Sequence, residues 1–267
     1  MLLFTSKESY DFFEVIFLKS SFFFRSLGKS ILLGLLLSTI IGVIAFPINR
    51  FIRQLPNTDS PSQSVWKSSL VPTVILDAGH GGSDPGAISI FGDEEKHINL
   101  VMVQKIGSFL ENSGIRVLYT RTEDHMLSSE KTDSSKMGDL MARVDFSKDH
   151  PDAVFISIHM NTLSLEQYSG LQVFYDERNT NGKILALLMQ NDVHNILQPN
   201  NNRSAKAAEG SIYILDRITA PAVLVECGFL SNKEEAHLLM QEDYRDKLAF
   251  TISRSIISFV SQKREFT

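Results

Sequence analysis

The sequence predicts an α/β fold: a single open, mostly parallel twisted sheet of about six strands, flanked by helices and preceded by an N-terminal transmembrane helix. Two observations predict the domain. The chain has 267 residues, and beyond residue 71 apolar runs of strand length alternate with segments of helical period. A third observation predicts the transmembrane helix, because residues 30–48 carry no charge and are mainly Leu, Ile, Val, Phe and Gly.

Six short apolar runs define the predicted strands. Each is followed by turn residues or by a segment of helical period, as in a sheet whose strands are joined by crossover helices. The runs are Val74 to Leu76, Arg116 to Tyr119, Ala153 to Ile158, Leu171 to Tyr175, Ser211 to Leu215 and Ala222 to Val225.

Five segments have the apolar spacing of amphipathic helices. The clearest runs from Glu95 to Asn112, places Ile98, Met102 and Ile106 on one face, and ends before Gly114. The others are predicted over 137–148, 182–197, 232–240 and 244–262. For the fourth helix, Ser231 and Glu234 have the spacing of a capping box.

The N-terminal part divides by composition. We expect a cytoplasmic segment at residues 1–29, a membrane anchor or uncleaved signal at 30–48, a Ser- and Pro-rich linker at 49–70 and a catalytic domain at 71–262. A cleaved signal peptide stays open, since small or branched residues occur at 43–45. Basic residues flank the apolar run on both sides, so they do not fix its orientation.

Charge and cysteine content exclude several classes of protein. The chain has 26 basic and 31 acidic residues and no basic run, so we do not expect nucleic acid as a partner. Cys227 is the only cysteine, which excludes an internal disulfide and zinc sites built from several cysteines. Any metal is therefore expected on histidine and carboxylate, and Cys227 is interpreted as a small buried residue.

The run VILDAGHGGSDPGA carries the most specific signal. A short apolar strand ends near Asp77 and breaks into a glycine-rich loop around His80, which holds the imidazole on a rigid base and leaves it open to a ligand. A phosphate-binding loop is the alternative, but Asp84 stands at the sixth position of the pattern counted from Gly79, where glycine is needed. Asp77 either orients His80 or, as the plainer alternative, makes a local turn bond.

Three further motifs place acidic or imidazole groups at element ends. Glu95 begins a helix, where the helix dipole favours an ionised carboxylate, although a plain helix-start glutamate is the alternative. His159 ends the strand of VFISIHMN, and Glu226 ends the strand of PAVLVECGFLSN. Strand ends meet at the carboxyl edge of a parallel sheet, where α/β folds place their sites. Two histidines and a glutamate make a hydrolytic zinc site with one open position.

These four blocks, in this order, resemble the zinc-dependent N-acetylmuramoyl-L-alanine amidase family over about residues 74–260. The resemblance implies that His80, Glu95 and His159 bind Zn²⁺ and that Glu226 is the catalytic glutamate. It implies peptidoglycan as substrate and cleavage of the bond between N-acetylmuramic acid and L-alanine. Together with the membrane anchor predicted from composition, this function implies an extracytoplasmic catalytic domain. The arrangement of an anchor, a linker and a single catalytic domain resembles that of the germination-type amidases. These enzymes act on the peptidoglycan of the spore cortex during muramic-lactam formation.

Several expectations stay open at this point. Some family members carry an inserted helix that blocks the cleft, and the connection from Tyr175 to Gly182 is too short for one. We therefore expect an open site or control by a separate activating protein, and we see no wall-binding repeats. Another zinc hydrolase of the wall, a peptidase or deacetylase, and a non-catalytic peptidoglycan-binding module are the alternatives.

Arg203 and Lys206 can meet an acidic stem peptide or form a solvated basic patch. The remaining histidines are interpreted as surface or structural: His97, His125, His150, His194 and His237.

Overall fold

The chain forms an α/β domain in which helices flank a mixed six-stranded sheet. A computed structural model describes residues 71–128 and 135–265. The strands are β1 (Thr73–Ala78), β2 (Arg116–Tyr119), β3 (Val154–Asn161), β4 (Gln172–Tyr175), β5 (Lys206–Ala207) and β6 (Ala222–Phe229). The helices are α1 (Glu95–Asn112), α2 (Lys136–Lys148), α3 (Thr180–Ile196), α4 (Tyr213–Arg217), α5 (Lys233–Met240) and α6 (Glu242–Glu265).

The strand order places three parallel strands at the centre of the sheet. The order is β2-β1-β3-β6-β4-β5. Strands β2, β1, β3 and β6 run parallel, whereas β4 runs antiparallel to β6 and parallel to β5. The carboxyl ends of β1, β3 and β6 therefore lie side by side, and His159 on β3 pairs in register with Glu226 on β6.

Two apolar layers cover the two faces of the sheet. The larger layer packs α1, α3 and α6 against residues such as Val74 and Leu76, while the smaller one packs α2 and α4 against Ile75. Successive strand residues point to opposite faces, and both faces of the central strands are covered. This explains why these strands consist of unbroken apolar runs. Cys227 lies fully buried in the larger layer.

One predicted strand is wrong. The segment from Ser211 to Leu215 leads into the helix α4, which begins at Tyr213 and buries Ile214 and Leu215 in the smaller apolar layer. The sixth strand is instead β5, a pair of residues beside β4. A short apolar run of branched and aromatic residues fits a buried helix as well as a strand, so its period does not decide between them.

The predicted cap of α5 is also wrong by one residue. Asn232 caps the helix, because its side-chain oxygen accepts hydrogen bonds from the backbone N–H groups of Glu234 and Glu235, each at 3.0 Å. The Ser231 hydroxyl instead accepts a hydrogen bond from the backbone of Leu163 at 3.1 Å. The helix α1 has the predicted bounds, and the other predicted helices are present with shifted ends. Gly114 follows α1 with a positive φ of 77°.

The predicted cytoplasmic segment at residues 1–29, the predicted membrane anchor at 30–48 and the predicted linker at 49–70 all lie outside the described residues. Within the two described ranges, no helix combines the length and the apolar character that a membrane span requires. The predicted boundaries of the N-terminal segments and of the domain stay predictions.

Candidate metal and catalytic site

The loop after β1 holds His80 in an unusual backbone conformation. His80 has a φ of 63°, in the left-handed region that side chains other than glycine rarely adopt. The loop is tied to the sheet by a hydrogen bond from the Gly79 N–H to the Ile158 carbonyl at 3.0 Å, and Gly81 and Asp84 exchange two backbone hydrogen bonds. The backbone strain of this conformation is maintained by the contacts around it, and strained residues of this kind concentrate at functional sites.

Glu95 lies between two imidazoles. His80 Nε2 is 3.2 Å from one oxygen of Glu95, and His159 Nδ1 is 3.0 Å from the other. One potential ligand atom from each residue falls within 4.8 Å of the other two. The structure thus brings together the three residues that the sequence predicts as metal ligands, while their role as ligands stays a prediction.

Several donors hold the Glu95 carboxylate in its charged form. One oxygen accepts a hydrogen bond from the Ala87 N–H at 2.8 Å, and the other accepts bonds from the Met160 N–H at 3.0 Å and the Asn99 amide at 3.1 Å. Burial raises the pKa of Glu95, but hydrogen bonds to His159 and His80 outweigh burial and bring the pKa far below its ordinary value. An ionised carboxylate between two imidazoles suits a divalent cation.

Asp84 fixes the ring of His80. His80 Nδ1 lies 2.7 Å from an Asp84 oxygen, so Nδ1 donates to the carboxylate and Nε2 faces Glu95. A carboxylate behind a metal-binding histidine sets the tautomer and the ring orientation in this way. The expectation that Asp77 orients His80 is therefore wrong, and sequence reasoning missed Asp84. Asn99 was missed too, although its position one helical turn after Glu95 places it on the same face of α1.

Two glycines allow the loop backbone to approach these side chains. A Cβ atom at residue 79 would lie 2.2 Å from Nε2 of His159. A Cβ atom at residue 86 would lie 2.6 Å from a Glu95 oxygen, and Gly86 also has a positive φ of 70°. Both positions require glycine because any larger residue would displace a predicted ligand.

Glu226 lies beside this group with one oxygen unpartnered. Among the described residues, Oε2 of Glu226 is buried and has no hydrogen-bond partner. Burial raises the pKa of Glu226 to about 7, with repulsion from Glu95 adding to the rise and the imidazole of His159 opposing it. A carboxyl group with a pKa near neutral pH can both accept and return a proton at that pH.

Asp77 belongs to a buried ion pair beneath the site and makes no local turn bond. It pairs with Arg143 and accepts hydrogen bonds from the hydroxyls of Ser157 at 2.6 Å and Thr120 at 2.7 Å. Burial raises the pKa of Asp77, but Arg143 and the two hydroxyls together lower it below its ordinary value. Arg143 also donates to the His80 carbonyl at 2.8 Å, so the pair supports the His80 loop from below.

Arg143→Met is expected to lower the free energy of unfolding by about 3–5 kcal/mol, because it leaves the charge of Asp77 buried without its partner. Urea denaturation of the purified protein measures the change. Arg217→Met is the matched control, since Arg217 is half-exposed beside Asp216 and its ion pair contributes about 1 kcal/mol or less. A loss in Arg143→Met no larger than that of the control would contradict the role of the buried pair.

The five other histidines do not join the site. His97, His125 and His237 are exposed, and His150 and His194 are half-buried. In the part of the chain that the structure describes, His80, Glu95 and His159 form the one cluster of histidine and acidic groups able to hold a metal ion. Burial raises the pKa of the Cys227 thiol, which removes it as a nucleophile.

Comparison with known proteins agrees with this geometry. Residues 74–258 match the profile of a family described as N-acetylmuramoyl-L-alanine amidase. The chain is 34% identical over 227 residues to the germination-specific N-acetylmuramoyl-L-alanine amidase of Bacillus subtilis strain 168, covering 83% of this chain and 94% of that relative.

Solved structures show the same fold. The CwlD amidase of Clostridioides difficile, solved in complex with the GerS lipoprotein, superposes with a TM-score of 0.66 at 35% identity, covering 71% of this chain and 98% of that chain. An N-acetylmuramoyl-L-alanine amidase of Clostridium difficile 630 superposes with a TM-score of 0.62 at 28% identity, covering 72% and 98%.

Proposed function

The chain belongs to the N-acetylmuramoyl-L-alanine amidase family, which hydrolyses peptidoglycan, and from that premise we propose that its amidase activity depends on zinc held by His80, Glu95 and His159. The unpartnered, buried oxygen of Glu226 beside these three residues is the observation that carries the proposal. A buried carboxylate without a partner is costly unless a cation or a reacting group faces it.

The donor set fits zinc. Two imidazoles and one carboxylate are the ligands of many hydrolytic zinc sites, which leave a fourth position open. Zinc bound there would supply Lewis-acid chemistry, polarising a carbonyl oxygen and making water nucleophilic near neutral pH. His80 would bind through Nε2, because Asp84 occupies Nδ1, and His159 would bind through Nδ1, the nitrogen that faces Glu95.

Glu226 carries the proton in this proposal. Its unpartnered oxygen takes a proton from the attacking water and returns it to the L-alanine nitrogen as the amide bond breaks. Asp84 and Asn99 hold His80 and Glu95 in place and take no part in proton transfer.

Digestion of peptidoglycan by the purified protein tests the proposal. Mass spectrometry is expected to find intact stem peptides with a free N-terminal alanine, and a metal chelator is expected to abolish their release. Added Zn²⁺ is expected to restore the release. Chelator-insensitive activity would overturn the zinc dependence, and shortened peptides or released acetate would identify the peptidase or the deacetylase instead.

We further propose spore cortex as the substrate, with a separate protein as activator. The similarity to a germination-specific amidase and to an amidase solved with a lipoprotein supports both. The connection between β4 and α3 is short, so it carries no helix that blocks the site. Unchanged muramic-lactam content in the cortex of a deletion strain would overturn the cortex assignment.

We propose that residues 30–48 anchor the chain and that the catalytic domain is extracytoplasmic. The uncharged apolar composition of this segment and the location of peptidoglycan support the proposal. Recovery of the full-length chain in the membrane fraction, with residues 71–262 accessible to protease from outside, is expected. Release from membranes after cleavage near residues 43–45 would instead identify a signal peptide.

A further inference from the structure

The guanidinium of Arg203 is fixed beside the sheet edge that carries Glu226. Its Nε donates to the Ser169 carbonyl at 2.7 Å, and its Nη1 donates to the Gln172 side-chain oxygen at 3.1 Å. Its Cζ lies over the buried ring of Phe229, 4.4 Å from the ring centroid. Stacking and two hydrogen bonds leave the side chain little freedom.

The strand register places Arg203 in line with the reacting groups. Glu226 on β6 pairs in register with His159 on one side and with Gln172 on the other. Side chains of paired residues lie on the same face of a sheet, and neighbouring strands are about 4.8 Å apart. One row of side chains therefore contains His159, Glu226 and Gln172. Arg203 lies at the end of this row, hydrogen-bonded to Gln172.

The positive charge of Arg203 has no direct acidic partner. In the described ranges, no carboxylate oxygen lies within 4.0 Å of its nitrogens, and Nη2 makes no hydrogen bond. Glu235 attracts Arg203 electrostatically, but its two oxygens accept the backbone N–H groups of Gly170 and Phe229, each at 2.8 Å. A rigid guanidinium with a free edge is suited to bind a carboxylate.

We propose that Arg203 binds the free carboxylate of the second residue of the stem peptide, D-glutamate, and thereby selects substrates in which that carboxylate is not amidated. The inference rests on the amidase activity and on Glu226 lying at the scissile bond. Two extended residues span roughly 7 Å. From Glu226 to Arg203, the strand spacing between Glu226 and Gln172 and the hydrogen bond from Arg203 to Gln172 together cover about 8 Å. The second residue is therefore the one whose carboxylate reaches Arg203.

Two matched substrates test the inference. They are N-acetylmuramoyl tripeptides that differ only in D-glutamate or its α-carboxamide, D-isoglutamine, at the second position. The unmodified full chain is expected to cleave the acid with about 10–100-fold higher kcat/KM than the amide, the range expected for a charge-assisted hydrogen bond. In Arg203→Gln, the kcat/KM for the acid is expected to fall to the kcat/KM for the amide. The kcat/KM of this variant for the amide is expected to stay within about 3-fold of that of the unmodified chain.

The control variant is Lys206→Gln, because Lys206 is an exposed cation three residues along the chain on β5. It is expected to keep the acid preference of the unmodified chain. Equal cleavage of both substrates by the unmodified chain would overturn the inference without any variant. An equal fall in kcat/KM on both substrates in Arg203→Gln would also overturn the inference, since it would indicate a structural role for Arg203. Cleavage of neither substrate by the unmodified chain would contradict the amidase function itself.

Discussion

Glu226→Gln is expected to abolish measurable peptidoglycan hydrolysis while zinc stays bound. The amide of glutamine cannot accept the proton of the attacking water, and loss of a general base costs roughly 10²–10⁴ in rate. The substitution conserves size, so the packing around the buried oxygen changes little. Turnover is measured by the release of stem peptides with free N-terminal alanine, and zinc by elemental analysis of the same sample.

The control for this variant is Glu234→Gln, which removes an exposed carboxylate at the start of α5. It is expected to retain full activity. Hydrolysis by Glu226→Gln at the rate of the control would overturn the assignment of Glu226 as the proton carrier. Loss of zinc together with activity would show that Glu226 holds the metal.

His80→Ala is expected to lose both the metal and the activity. It removes one of the three proposed ligands, so the zinc affinity is expected to fall by more than the roughly 10–100-fold that loss of a supporting contact costs. Asp84→Asn removes such a supporting contact, and its loss of zinc affinity is expected to be roughly 10–100-fold. Competition with a coloured chelator measures the affinity of each variant.

His97→Ala is the matched control for the metal measurement. His97 also follows the glycine-rich loop, but it is exposed and lies outside the cluster. Its zinc affinity is expected to equal that of the unmodified chain. Full zinc occupancy in His80→Ala, at the affinity of the control, would contradict the predicted ligand set.

The sequence predicted the three central strands because both faces of each are buried, which requires unbroken apolar runs. It also predicted that His80, Glu95 and His159 lie together, since two strand ends and one helix start meet at the same edge of the sheet. The resemblance of four motifs to one family added the expected roles of these residues, and the family assignment is confirmed.

Other features leave no signal that sequence reasoning can use. The helix α4 and the two-residue β5 were not predicted, because a short apolar run has no decisive period and a two-residue strand has none. The partner of Asp77 is Arg143, far along the chain, and nothing in the local sequence indicates that pairing. The left-handed backbone of His80 depends equally on contacts that only the fold provides.

X-ray diffraction at the zinc absorption edge, from crystals of the purified protein grown with Zn²⁺, locates the metal. We expect a single strong anomalous peak within bonding distance of His80 Nε2, a Glu95 oxygen and His159 Nδ1, with Glu226 beside it. Zinc bound elsewhere, with these three side chains still hydrogen-bonded to one another, would show that they do not form the metal site.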